Sequence, residues 1–255
     1  MHGACFRFAH FTLYAIIPAM TVLKDYIEAS FLARATEKEL LTRLDLITLK
    51  PKNMVDIGCG PGLTINALRK KYPDAKIYGI DHCKEMLAHA ETLTEAHWLC
   101  EDAGSLSLAD KSIDCVFSNL LLYPDLPKLF TEWYRILRPE GVLMFTCFGP
   151  STLNELTHQQ NFTDMHLIGD LLLKLGFQDP VLDVETYQVV YQDREKMVRE
   201  LRVMQLITDD FVLPEMVEIL PLTFEIVYGH AWGGEIADET GVVKIPLSSI
   251  TGLRV

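Results

Sequence analysis

Residues 54 to 62 read Met-Val-Asp-Ile-Gly-Cys-Gly-Pro-Gly. A short apolar run enters three glycines at alternate positions, Gly58, Gly60 and Gly62, and a helix-compatible segment, Leu63 to Tyr72, follows. That order spells a strand, a turn free of side-chain bulk, and a helix. Glycine has no Cβ, so the chain can reverse sharply there and a ligand can approach the backbone closely. A second apolar run begins at Ala75 and ends on Asp81. A doubly wound sheet places at that point an acid that grips ribose hydroxyls.

The spacing separates two classes of cofactor. A dinucleotide fingerprint needs Gly-x-Gly-x-x-Gly, with the third glycine at the start of the helix. Here that position is Leu63, and the pattern is Gly-x-Gly-x-Gly headed by Asp56. It resembles the first motif of class I S-adenosylmethionine-dependent methyltransferases, whose ligand carries an aminocarboxylate and a sulfonium where a dinucleotide carries phosphates.

The rest of the chain alternates in the same sense. Helical periodicity runs from Tyr26 to Leu49, with Leu40, Leu41, Leu44 and Ile47 on one face, and Pro51 stops it. Strands are expected near 53–57, 75–80, 96–100, 113–118 and 141–148, and helices near 63–72, 83–92 and 126–137. Asp125 can cap the last of these helices, with Pro127 in its first turn. Arg138-Pro-Glu-Gly is expected to end it and turn into the next strand. This alternation argues a parallel sheet with helices on both faces. Beyond Pro150, helices are expected over Ser151–His158, over Met165–Leu175 with Gly176 as a left-handed cap, and near 193–206. Strands are expected near 181–191 and 222–231. Tyr228, His230 and Trp232 then share one face of the last strand and read as packing residues.

Composition removes some partners. With a net charge of −12, the surface is not built to neutralise phosphates, and no nucleic-acid partner is expected. The six cysteines (Cys5, Cys59, Cys83, Cys100, Cys115 and Cys147) form no Cys-x-x-Cys pair and no Cys/His ligand spacing. They are expected to be small buried apolar residues in a reducing compartment, with no metal site. Phe11 to Leu23 is apolar but holds Pro18 and is too short to span a bilayer. Arg7 ahead of it gives the segment some likeness to a secretory signal. The expectation is a buried arm or helix over 1–25, no stable membrane association, and a cytoplasmic location. Residues 26–255 are expected as a single domain, with 151–220 carrying helices on the substrate side.

Three stretches sharpen the likeness: Phe145-Thr-Cys-Phe-Gly-Pro-Ser-Thr-Leu-Asn-Glu-Leu, Asp164-Met-His-Leu-Ile-Gly-Asp-Leu-Leu-Leu-Lys-Leu-Gly-Phe, and Pro221-Leu-Thr-Phe-Glu-Ile-Val-Tyr-Gly-His-Ala-Trp. Together with the glycine motif they resemble the malonyl-acyl-carrier-protein O-methyltransferases of biotin synthesis, from about Tyr26 to Trp232. Three departures mark a divergent member. Ile27 stands where the family has an acid after the tyrosine at 26. The stretch Asn119 to Asp125 lacks the usual Gln-Trp. Only Leu206 to Leu220 fills a longer family insertion.

The resemblance implies a Rossmann-like α/β fold: a seven-stranded, mostly parallel sheet with an antiparallel last strand and S-adenosyl-L-methionine over the carboxyl ends of the strands. Gly58, Gly60 and Gly62 would admit the methionine part of the cofactor. Asp56 would orient that loop or bond the amino group, and Asp81 would take both ribose hydroxyls. His82 and Met86 would flank the adenine, Asp102 beside Ala103 would accept from its amino group, and Asn119 and Leu120 would lie beside the methyl donor. The implied reaction is methyl transfer to the free carboxylate of a malonyl thioester, carried by acyl carrier protein or coenzyme A, by a monomer. A carboxylate is already ionised at neutral pH, so donors that position it are expected rather than a catalytic base. Tyr26, Tyr123 and Arg202 are the catalytic candidates, with His166 as a further possible donor. Carrier proteins of this kind are acidic, as is this chain. The helix near 193–206, with Arg194, Lys196, Arg199 and Arg202 beside a Met197/Leu201/Met204 stripe, is expected to dock one. The alternatives are an arginine-modifying assembly factor similar to the respiratory complex I hydroxylase, and a cofactor-binding member without catalysis.

Overall fold

The computed structural model describes residues 26–156, 161–208, 210–211 and 221–234; the expectations for the arm at 1–25, for 157–160 and for most of 206–220 lie outside them. A helical turn at 26–29 leads into α1 (Phe31–Leu44). The order continues β1 (Asn53–Ile57), α2 (Leu63–Lys71), β2 (Lys76–Asp81), α3 (Lys84–Leu93), β3 (His97–Cys100), β4 (Ile113–Asn119), α4 (Leu126–Ile136), β5 (Leu137–Phe148), α5 (Met165–Leu175), β6 (Gln178–Val190), α6 (Arg194–Val203) and β7 (Pro221–Trp232).

The seven strands form one sheet in the order β3-β2-β1-β4-β5-β7-β6. The first five are parallel, and β7 runs antiparallel to both β5 and β6. The fold class is as expected. Strand order reverses between β1 and β4, and a doubly wound sheet opens a crevice at the carboxyl ends of its strands there.

Alternation along the strands divides the core in two. Met54, Phe117 and Met144 pack with Leu32, Leu40 and Leu44 of α1, Ile65 and Leu68 of α2 and Met197 and Leu201 of α6. Val55, Val116 and Phe145 pack with Leu129, Phe130 and Trp133 of α4 and Ile168 and Leu172 of α5. Helices therefore cover both faces. Asp125, Asp164 and Asp193 cap α4, α5 and α6 by accepting the N–H groups of Lys128, His166 and Lys196. Gly176, at φ 100°, ends α5 in the left-handed region.

Four expectations need correction. Residues 151–156 are turns rather than a helix: Leu153 N–H donates to Thr223 O at 2.7 Å and Thr152 Oγ1 to Glu225 O at 3.0 Å, so contacts with β7 hold the segment. Arg138 to Gly141 belongs to β5 instead of preceding it. Glu140 takes the bend with φ 64°, and the register shifts between Ile113 and Cys115. Cys100 is exposed, because β3 is a four-residue edge strand, whereas Cys59 and Cys115 are buried as expected. Finally, Met197 and Leu201 face the core, so the apolar stripe of α6 is not part of an exposed surface.

Tyr228 is buried, with the Arg43 guanidinium 4.1 Å above its ring, and Arg43 pairs with Asp183 and Glu185 on β6. This ties the end of α1 to the far edge of the sheet. His230 is half-buried beside this group. Burial and then the Arg43 charge lower its pKa. No helix among the described residues is long and apolar enough to cross a membrane.

Candidate functional site

The loop after β1 hangs on the end of β2. Gly58 and Cys59 both donate to Ile80 O, at 2.8 and 3.0 Å, Gly60 N–H donates to Asp81 Oδ2 at 2.9 Å, and Gly62 N–H closes the turn on Cys59 O at 2.9 Å. Two glycines show why side chains are excluded. Gly60 has φ 50°, and a Cβ there would sit 3.1 Å from Tyr26 Oη, at the wall of a cleft. Gly62 has φ 76°, and its Cβ would meet Ala90 Cβ and the Trp98 ring, each at 2.8 Å. Gly58 and Gly60 line the cleft and Gly62 does not; Gly62 lets α2 pack on α3 and β3.

Asp81, at the tip of β2, also lines the cleft, as do His82 and Met86. Its other oxygen accepts the Cys83 N–H at 2.8 Å. Each carboxylate oxygen has two lone-pair sites, so the same group that hangs the glycine loop keeps acceptor capacity for a ligand hydroxyl. Asp102 does not line the cleft. Its Oδ1 accepts from Tyr123 Oη at 2.8 Å, from Gly104 N at 2.9 Å and from Lys128 Nζ at 3.3 Å. Burial acts to raise the Asp102 pKa, but these donors outweigh it and hold the carboxyl below its usual range. Ala103 O accepts the Trp133 indole N–H at 3.2 Å.

Asp56, near the end of β1, is strongly perturbed. It is 1 % exposed, and its Oδ2 has no hydrogen-bond partner among the described residues. Burial raises its pKa well above the carboxylate range, and the charges of Glu37 and Asp81 add to this. Glu37, on α1, is itself raised by burial, against the pull of a Thr64 hydrogen bond and the Arg34 charge. Asp56 does not itself line the cleft; its unmatched carboxyl oxygen lies buried two residues before Gly58, behind the glycine loop, with the chemistry to accept from an amino group that reaches it. With the glycine cradle and Asp81, it fits a ligand carrying both an ammonium and sugar hydroxyls.

The cleft encloses about 960 Å³, including space open to solvent. One wall is Tyr26, Ala29 and Ala33; another is Asn119 to Leu122 with Phe148; the third is Val203, Met204 and Gln205, at the end of α6. Of the proposed acceptor-side residues, Tyr26 is brought to the cleft. Tyr123 is turned onto Asp102, and Arg202, exposed on α6, donates to Phe211 O at 3.2 Å. His166 bonds Asp164 at the start of α5, with its ring Nδ1 2.9 Å from Oδ1. Sequence reasoning missed Glu37, Thr36 and Gln205. Thr36 carried a signal, as a polar residue four positions from both Leu32 and Leu40 in a buried stripe. Glu37 and Gln205 carried none.

Comparisons with known proteins point one way. A family described as a methyltransferase domain matches residues 55–145. The chain is similar to the malonyl-[acyl-carrier protein] O-methyltransferase of Halorhodospira halophila, 32 % identical over 90 % of this chain and 92 % of that protein. It is 35 % identical to the enzyme of the same name from Methylovorus, over 81 % and 84 % of the two chains. Among solved structures, a Haemonchus contortus phosphoethanolamine N-methyltransferase in complex with S-adenosylhomocysteine superposes with a TM-score of 0.57 at 18 % identity, covering 86 % of this chain and 61 % of that one. The Bacillus YcgJ protein superposes with a TM-score of 0.55 at 13 % identity, covering 81 % and 98 %.

Proposed function

This chain belongs to the malonyl-[acyl-carrier protein] O-methyltransferase family of S-adenosylmethionine-dependent enzymes, and we propose that it methylates the free carboxylate of a malonyl group held as a thioester on acyl carrier protein. The product would be the methyl ester that enters biotin synthesis, and the enzyme would work as a cytoplasmic monomer. The observation that carries the reading is the cleft itself. A glycine cradle and an acid at the tip of β2 meet an open mouth in which the polar side chains of Tyr26, Asn119 and Gln205 interrupt apolar walls.

S-adenosyl-L-methionine supplies an electrophilic methyl group on a sulfonium. Asp81 would take the ribose hydroxyls while holding Gly60, and Gly58 and Gly60 would admit the methionine portion. Asp56 would meet the amino group. His82 and Met86 would flank the adenine. Asp102 and Ala103 do not line the cleft, and Asp102 would support its loop through Gly104.

No residue need remove a proton, since a carboxylate is ionised at neutral pH. The protein's work is to aim one carboxylate oxygen and to keep water away. Ala29, Ala33, Leu120 to Leu122 and Phe148 make dry walls. One negative and one positive charge disappear as the ester forms, so a dry, organised pocket favours the step over bulk water. Tyr26 is assigned as the donor that orients the acceptor carboxylate, with Gln205 as the second donor. The relatives' names favour carboxyl methylation over the arginine-modifying alternative.

Coenzyme A could replace the carrier protein as the thioester. Parallel assays with malonyl-acyl carrier protein and malonyl-coenzyme A measure the preference. A carrier preference supports the reading, and equal use of both would reduce the requirement to the malonyl thioester alone.

A further inference from the structure

Asn119 ends β4 at the switch point of the sheet, and its side chain joins α1 to β5. Asn119 Nδ2 donates to Ala33 O at 2.8 Å. Its Oδ1 accepts from the hydroxyls of Thr36 at 2.9 Å and Thr146 at 2.7 Å. The proton inventory fixes the directions at Thr146 and Ala33; Thr36 Oγ1 also lies 3.1 Å from Leu32 O and from Ala33 O, and Asn119 Oδ1, at 2.9 Å, is the nearest of its three acceptors. Thr146 Oγ1 accepts the Leu120 N–H at 2.9 Å, so its own hydrogen is directed to Asn119. Ala33 O can only accept, so the amide nitrogen must face it. Thr36 and Thr146 are 0 % and 2 % exposed, so water does not compete for these bonds.

The elements joined are those that enclose the ligand space. Ala33 and Thr36 lie on α1, whose preceding turn carries Tyr26 against the glycine loop and whose Ala29 and Ala33 form a cleft wall. Thr146 lies on β5. Leu120, which also lines the cleft, is held at φ 54°, a left-handed conformation rare for leucine. Its N–H is bonded twice to Thr146, at the backbone oxygen and the hydroxyl.

We propose that Thr36, Asn119 and Thr146 form a latch that holds the α1 wall closed over bound cofactor, with Asn119 as its positioning centre. An aspartate could not replace it, because a carboxylate oxygen would then face Ala33 O. The latch explains why Thr36 interrupts the buried stripe of α1: its hydroxyl lies 2.9 Å from a group 83 residues away.

The test uses Thr36→Val and Thr146→Val, which keep side-chain shape. Each leaves the bonds between backbone groups in place; Thr146→Val also removes the Oγ1 acceptor of Leu120 N–H, which retains Thr146 O at 3.1 Å. Stopped-flow binding of S-adenosylhomocysteine is the readout, so the result does not depend on which acceptor the enzyme uses. Both variants lose the bond to Asn119, and loss of that one buried bond corresponds to a dissociation rate raised roughly threefold to tenfold, with the association rate within about twofold. Thr36→Ser and Thr146→Ser, which restore the hydroxyl, return the rate to that of the parent. Unchanged dissociation in both valine variants overturns the latch. So does faster dissociation that tracks a lower melting temperature and is not restored by serine. Failure of the parent protein to bind S-adenosylhomocysteine at all would remove the cofactor site and the latch together.

Discussion

Gly60 and Gly62 are two residues apart in one loop, and the structure separates what an added methyl group does at each. At Gly62 an alanine would keep φ near 76° and place its Cβ 2.8 Å from Ala90 and from Trp98. A left-handed L-residue costs about 1–2 kcal/mol, and forcing a methyl into a packed contact costs roughly 1–3 kcal/mol. The sum, about 2–5 kcal/mol, corresponds to a fall in melting temperature of roughly 4–20 °C for a domain of this size. At Gly60 the neighbour is Tyr26 Oη at 3.1 Å, the end of a side chain on the cleft wall. Gly60→Ala therefore carries mainly the backbone term, about 1–2 kcal/mol, and its methyl enters the ligand space. Its signature is an affinity for S-adenosylhomocysteine weaker by about tenfold, equivalent to ~1.4 kcal/mol. Thermal unfolding and calorimetric titration of both variants measure the pair. A Gly62→Ala protein that melts with the parent, or a Gly60→Ala protein that binds as the parent does, would refute this reading of the loop.

Asp56 makes stability depend on pH. Its folded pKa is raised, so in that window the native state holds a proton the unfolded state has lost. Stability is then highest below the unfolded value of about 4 and falls as pH rises towards the folded pKa. Asp56→Asn should flatten that slope, as read from urea midpoints across pH; an unchanged slope would show that Asp56 is ionised in the fold. Tyr26→Phe removes a donor to a charged acceptor, worth about 1.5–3 kcal/mol, so turnover should fall roughly ten- to a hundredfold. Tyr123→Phe, which loses bonds to Asp102 and Lys128 outside the cleft, should retain most activity; the reverse ranking would reassign the donor. Arg199 and Arg202 are exposed on α6, whose next residues line the cleft. Reversing both to Glu should raise KM for the carrier-borne substrate about tenfold while sparing S-adenosylhomocysteine affinity, and unchanged steady-state kinetics would remove α6 as the docking face.

The features legible in the sequence were set by local chemistry. Buried strands such as Met54 to Ile57 announce themselves as short apolar runs, and Asp125 and Gly176 mark helix ends because capping needs only neighbours. The glycine loop and Asp81 were readable for the same reason. What was hidden depends on contacts between distant segments. Ser151 to Leu156 looks helical, but bonds to Thr223 and Glu225 hold it in turns. Tyr123 stands near the end of β4 in sequence, yet Asp102 and Lys128 draw its hydroxyl aside. The distant partners of Thr36 and Glu37, Asn119 and Thr64, come from β4 and α2, and no periodicity along α1 identifies them.

The most direct measurement supplies methyl-labelled S-adenosylmethionine and malonyl-acyl carrier protein to the purified protein and follows label into a base-labile ester. The account predicts labelled ester that needs the free malonyl carboxylate, with none formed on acetyl-acyl carrier protein. Tight binding of S-adenosylhomocysteine with no ester from the malonyl carrier, under conditions where a characterised relative turns over, would contradict it.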